Sequence, residues 1–369
     1  MENYSRAWEL SSESYPAALA MARIMGVQGN TASALQLLSE LELLFPENSQ
    51  IRRERALVYY RAEDWARAES AIDEILELDN RDGEFVLMKA HIHIERSQFL
   101  QAQSFLDLYT SINSGSRFYA FLLARVQFEA YRNRDAALNL LRPHLRNLID
   151  DEASAYTIQL LLESGREADQ TEGRDLLYRL LDNTNPSLTI LNVALEDSIQ
   201  RQAWRESRVF MNRLLAERRS SRDLFNAYTI EKEQGNHNAA FSYARELYER
   251  DTSAEEGIMA YISALINIGR RDEAVRIIDI NLENASAGAM KSRFYYLRSV
   301  THTGEDAALE DLRSSLFEDP RNLNALIALF EFYHQRNDER WAVYYLRQAL
   351  VLDPDNPRLK YYETEYAPL

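Results

Sequence analysis

The sequence predicts an all-α chain, an α-solenoid of about ten helix pairs, and three observations predict it. Alanine recurs at a fixed interval: Ala34, Ala68, Ala102 and Ala136 stand 34 residues apart, and Ala240, Ala274, Ala308 and Ala342 repeat that step. Four residues after each comes a mostly large apolar residue: Leu38, Ile72, Leu106, Leu140, Ala244, Ile278, Leu312 and Leu346. One helical turn separates the two positions, so they share a buried face. Gly and Pro together number only 19 of 369 residues, well below the roughly 12% of average usage, which disfavours folds rich in tight turns. A period of this length marks a repeat architecture, which grows by stacking; it replaces the two or three globular domains that length alone would allow.

The elements follow in order. Residues 1–14, with Tyr4, Trp8 and Leu10, are expected to form an N-terminal cap or tail. Residues 15–148 hold repeats 1–4, where Ala22, Ala56, Ala90 and Ala124 give a second small column twelve residues before the first. Small side chains in both columns let paired helices approach closely. From 136 to 240 is three periods plus two residues, so two degenerate repeats fit over 149–221, with equivalent positions near Arg174 and Ser207. There Glu163 to Gly173 reads as a lengthened loop, and the broken phase as a bend. Repeats 7–10 occupy 222–356, and their second small column becomes Tyr228, Ile262, Tyr296 and Phe330, which implies a different helix spacing. Pro46, Pro186, Pro320 and Pro354 mark corners between repeats, because Pro lacks the N–H that a continuing helix needs. Residues 357–369, with Tyr361, Tyr362 and Tyr366, are expected to form a capping helix over the last repeat.

The stretch Ala56-Leu57-Val58-Tyr59-Tyr60-Arg61-Ala62-Glu63-Asp64-Trp65-Ala66-Arg67-Ala68 resembles the core of the tetratricopeptide repeat (TPR) family, and Ala342 to Pro354 is similar to its second helix and corner. The resemblance extends over roughly nine tenths of the chain. It implies a right-handed superhelix whose concave groove, lined mainly by first helices, grips an extended peptide or a partner's helix. On that expectation the groove residues are Leu19 and Arg23 in repeat 1, Arg53, Leu57, Tyr60 and Arg61 in repeat 2, Leu87, His91 and Ile94 in repeat 3, and Phe118, Phe121, Arg125 and Phe128 in repeat 4. Rings interleaved with Arg suit a peptide carrying apolar anchors and a carboxylate; the same spacing also serves a helix core. The carboxylate clamp of chaperone-binding members needs Lys and Asn where Leu19, Arg23, Leu57 and Leu87 stand, so that specificity is not expected. Arg213, Arg218, Arg219 and Arg222 form the densest basic cluster, a candidate patch for an acidic partner. Cations near a helix C-terminus also offset its dipole without any ligand.

Composition narrows the chemistry. With 42 Lys and Arg against 58 Asp and Glu, the net charge of −16 argues against nucleic acid and anionic membrane surfaces and mildly favours basic partners. Without Cys there is no disulfide, thiolate metal site or Cys nucleophile. Six His are present; His91 and His93 lie two apart on a helix and point to different faces. No zinc-protease, nucleophile-elbow or Gly-rich phosphate motif occurs, so no enzymatic activity, cofactor or metal is expected. No run of 18 apolar residues is present, so no membrane span is expected; the compartment is cytoplasmic, or periplasmic with a leader removed. Arg outnumbers Lys 38 to 4, as in a bacterial gene of high GC content. Two function classes stay open. One is an adaptor that binds a partner segment in the groove; the other is a structural component that self-associates or docks into a bacterial envelope complex through its end repeats.

Overall fold

The computed structural model describes residues 15–112, 115–183, 185–285 and 288–366; the expected N-terminal cap lies outside them. Among the described residues there is no strand, and ten helix pairs follow one another. The first five are α1 (Tyr15–Val27) with α2 (Thr31–Leu44), α3 (Ser49–Arg61) with α4 (Trp65–Leu78), α5 (Gly83–Glu95) with α6 (Phe99–Thr110), α7 (Arg117–Arg125) with α8 (Arg134–Leu141), and α9 (Glu152–Leu162) with α10 (Glu167–Leu181). The rest are α11 (Leu188–Gln200) with α12 (Trp204–Glu217), α13 (Ser221–Glu233) with α14 (His237–Arg250), α15 (Glu255–Asn267) with α16 (Arg271–Asn284), α17 (Ala289–Thr301) with α18 (Glu305–Glu318), and α19 (Leu323–Gln335) with α20 (Glu339–Leu352). A last helix, α21 (Pro357–Tyr366), closes the chain. Two compact units divide inside α11, between Val193 and Ala194.

In the first unit the two small columns meet. Ala22, Ala56, Ala90 and Ala124 on the first helices are fully buried, as are Ala34, Ala68 and Ala102 on the second, with Leu38, Ile72 and Leu106 one turn further on. Repeat 4 departs from the ruler. A π-turn over Val126–Ala130 continues α7 and adds a residue to it, so the chain arrives at α8 one position late. Ala137 and Leu141 are buried there, whereas Ala136 and Leu140 are only half-buried. In repeat 5 the loop expected over 163–173 is mostly helix: α10 begins at Glu167. Gly173, next to Arg174, fills the small position. A Cβ on Gly173 would stand 3.0 Å from Leu161 Cβ and 3.2 Å from Leu162 Cγ. The physical reason is volume. Leu161 occupies the first-helix position that Ala fills in repeats 1–4, so the facing position must lose its side chain.

The second unit keeps the same compensation. Leu195 stands where the first-helix Ala would be and is 2% exposed, and Ser207 opposite it is fully buried. Ala240 faces the Tyr228 position, and Ala274 and Ala342 are buried opposite Ile262 and Phe330. Leu359 of α21 is fully buried in the core of the last repeat with Leu326, Leu329 and Phe330. Tyr362 meets the Phe330 ring at 4.9 Å, and the Tyr366 hydroxyl lies 2.6 Å from His334 Nδ1. Tyr361 alone of the three tyrosines is strongly exposed, at 71%.

Sharp left-handed corners join eight of the ten pairs without many glycines. Five residues before the small position the backbone turns left-handed, with positive φ at Gly29, Glu63, Ser97, Arg132, Gln202, Gly235, Gly269 and Asn337. At Glu63 the bonds Glu63 N→Tyr60 O and Asp64 N→Tyr59 O close the end of α3, the pattern that satisfies the orphan carbonyls of a helix terminus. The next residue then caps the second helix: Asp64 accepts from Arg67 N at 3.3 Å and Asn133 from Ala136 N at 3.0 Å. Gly scarcity therefore does not mean that left-handed positions are missing; five of these eight are filled by side chains that pay backbone strain.

Candidate partner-binding face

The geometry of the face follows from the ruler. On a first helix, positions 15, 11 and 8 residues before the small position lie along one stripe. In the second unit this stripe lines an open cavity of about 1110 Å³. Phe225, Met259 and Arg293 stand at the first offset, Thr229, Ser263 and Leu297 at the second, and Lys232, Ile266 and Val300 at the third. Tyr228 and Tyr296, large residues in the former small column, close its floor. Its charges balance: Arg293 pairs with Glu255 at 2.6 Å, and Lys232, Arg321, Glu256 and Asp319 complete the lining. The sequence reasoning stopped its groove at repeat 4 and missed this cavity. The signal was present, because the same offsets carried into repeats 7–9 name these residues.

In the first unit the same offsets hold Leu19, Arg23, Arg53, Leu57, Tyr60, Leu87, His91, Ile94, Phe121 and Arg125. The structure joins several of them in one row. Ring centroids run from Tyr60 to His91 at 5.7 Å, His91 to Phe118 at 5.8 Å, Phe118 to Phe121 at 6.2 Å and Phe121 to Tyr156 at 5.7 Å. Trp65 packs edge-on to Tyr60 and His91, and the Tyr60 hydroxyl hydrogen-bonds His91 Nδ1. Leu19, Leu87, Ile94 and Phe121 are buried; they support the face from beneath instead of presenting a surface. Phe128 falls within the π-turn and lies under the Arg134 guanidinium at 5.1 Å. Glu129 takes its place beside the row.

The arginines of this face are committed to carboxylates. Arg23 and Arg61 both donate to the buried Glu54, at 2.8 and 3.1 Å. Arg53 pairs with Asp82 and with Glu84 at 2.9 Å, and stacks over Phe85. Arg125 bonds Glu95 and, at 2.7 Å, Glu129; although burial opposes its charge, these bonds hold it firmly protonated. Burial pushes the His91 imidazole below its ordinary value, against the pull of Glu95, so it is neutral at pH 7. Partial enclosure by neighbouring groups pushes the surface-exposed Glu152 carboxyl up; the Arg125 charge opposes this, and Glu95, Asp151 and Glu63 add to the rise.

The basic cluster is also paired internally. Arg218 donates to Asp223, which completes a capping box with Ser220 at the start of α13. Arg219 meets Glu246, and Arg222 meets Glu196 at 3.0 Å. Arg213 is half-buried on α12. Among the described residues no group of three or more His, Asp and Glu is placed to hold a metal ion, and no helix is long and apolar enough to cross a membrane.

A 34-residue helix pair, small residues where the helices cross, a left-handed corner and a capping helix settle the fold. The chain is a tetratricopeptide-type solenoid. No family model and no curated protein matches it. Among solved structures, it is similar to PilW, a type IV pilus biogenesis factor, at 17% identity over 56% of this chain and 96% of that one, TM-score 0.47. Yeast Tom70 aligns at 13% identity over 97% and 96% of the two chains, TM-score 0.37. An IFIT1 monomeric mutant with Gppp-AAAA aligns at 13% identity over 91% and 90%, TM-score 0.45. At such identities the likeness is one of fold, and the tetratricopeptide-type stripe of this chain must be read from its own residues.

Proposed function

We propose that the protein is a non-enzymatic adaptor that binds an extended segment of a partner protein along the first-helix stripe. The observation that carries this reading is the cavity of about 1110 Å³ in the second unit, lined at three fixed offsets by apolar and polar side chains. A groove with an aromatic floor and a mixed rim is suited to alternate side chains of an extended chain. The excess of acid disfavours nucleic acid as the ligand. The assembly alternative is weakened at the C-terminal end, where Leu359, Tyr362 and Tyr366 turn inward onto the last repeat.

The test is selection of random displayed peptides on the full chain, followed by hydrogen exchange with a selected peptide bound. Protection concentrated on α13, α15 and α17, or on α3, α5 and α7, supports the reading. Protection concentrated on the even-numbered helices, or the absence of any binder, refutes it.

A further inference from the structure

We propose that the second-unit cavity takes an uncharged apolar side chain, Leu, Ile or Phe, as the anchor of the partner segment, and that burial of this anchor, not charge, selects the partner. This rests on the groove reading and adds the chemistry of the occupant.

The lining supplies the anchor's surroundings. Phe225 on α13, Met259 and Ile266 on α15 and Tyr296 on α17 are half-buried, and Val300 on α17 is 45% exposed. Five large apolar or aromatic side chains from three consecutive first helices therefore meet water in one cavity. A contiguous apolar surface of this kind favours an occupant that displaces the water over it. The first-unit stripe offers no such wall, because Leu87, Ile94 and Phe121 are buried there.

Charge decides the class of anchor. Lys232, Arg293 and Arg321 in the lining are matched in number by Glu255, Glu256 and Asp319. Arg293 is held by Glu255 at 2.6 Å, and Lys232 lies 3.6 Å from Glu233. On a chain of net charge −16 this is a locally neutral stretch. A charged anchor would lose hydration on entering the cavity and gain little from a balanced field, whereas an uncharged one gives up only water over apolar surface. At the centre of the stripe, the Thr229 hydroxyl donates to the Phe225 carbonyl at 3.0 Å and is already satisfied.

The experiment selects random displayed dodecapeptides on the full chain, maps the best binder by hydrogen exchange, and measures a fluorescent synthetic copy by anisotropy. Protection should centre on α13, α15 and α17, and the selected peptides should share a Leu, Ile or Phe. Replacing that residue by Ala, or using the Val300→Asp protein, should each weaken binding about tenfold or more. Raising NaCl from about 50 to about 500 mM should change the affinity by less than about threefold. Val300 is exposed enough for Val300→Asp to keep the wild-type circular dichroism, and Val300→Ile and Val351→Asp, the latter on a second helix, should bind normally. Selected peptides that share a charge and weaken steeply with salt overturn the apolar anchor while leaving the groove reading standing. So do undiminished binding by Val300→Asp and protection confined to α3, α5 and α7. Concentration-dependent dimerisation of the free chain that Val300→Asp abolishes also overturns it, because the occupant is then a second copy. Protection on the even-numbered helices, or a library that yields no binder, overturns both.

Discussion

The left-handed corners should respond to mutation with opposite signs according to which residue fills them. Ser97, Arg132 and Gln202 hold φ of 57°, 55° and 55°, a conformation that costs a side-chain-bearing residue about 1–2 kcal/mol. Replacing each by Gly removes that strain and returns roughly 0.5–1 kcal/mol of it as extra entropy of the unfolded chain. The expected net is stabilisation by about 0.5–1 kcal/mol per site. Gly29, Gly235 and Gly269 hold φ of 79°, 75° and 79°, and a Cβ there would meet nothing within 4 Å. Ala at these positions therefore adds strain without a clash and should destabilise by about 1 kcal/mol. The corner hydrogen bonds use backbone N–H and survive in both sets. Urea titration of each single variant gives the sign, and exchange of the corner amides localises it where unfolding is not one step. Ser97→Gly, Arg132→Gly and Gln202→Gly lowering the midpoint as Gly29→Ala does would show that the side chains, not the backbone, hold these corners.

Other expectations are equally specific. Gly173→Ala should destabilise the first unit although Ala is the better helix former by about 1 kcal/mol, and adding Leu161→Ala should recover much of the loss by restoring the Ala–Ala crossing; a double-mutant cycle with no coupling would contradict this. The Glu152 carboxyl is raised in the folded state, so its ionisation opposes folding as pH rises from the ordinary carboxylate value through the raised one. Glu152→Gln should accordingly stabilise at pH 7, with the gain vanishing below about pH 4, as chemical denaturation across pH would show. Leu359→Ala should cost about 2–5 kcal/mol in the last repeat, seen as faster exchange in α19 to α21 and little change in α13; uniform loosening would mean that the cap is not a local closure.

Much of this architecture was legible because the small column is a steric requirement, and steric requirements leave marks in sequence. Ala34, Ala68 and Ala102 are buried where the ruler put them. The ruler slipped at Ala136 because hydrogen-bond phase has no compositional mark: nothing in Val126 to Ala130 announces a π-turn, yet it moved the slot to Ala137 and turned Phe128 aside. Gly173 was misread as a loop residue because glycine signals both flexibility and close approach, and only its neighbour Leu161 distinguishes them. On the candidate face, the offsets put Tyr60, His91 and Arg125 on one stripe, but helical spacing cannot tell a ring that floors a groove from one beneath it, as Phe121 shows at 1% exposure. Nor could it reveal that each arginine meets an acid from an adjacent turn or repeat, as Arg53 meets Asp82 and Arg125 meets Glu95.

The central claim is that partners bind along the first-helix stripe, and site-directed photo-crosslinking in the source cells tests it most directly. A photoreactive residue at Val300 or Lys232 lines the second-unit cavity, whereas Phe317 and Val351, 87% and 77% exposed, lie on second helices. The account predicts a discrete crosslinked partner from Val300 and Lys232, lost when a selected peptide competes, and none from Phe317 or Val351. Crosslinks confined to Phe317 and Val351 would contradict it.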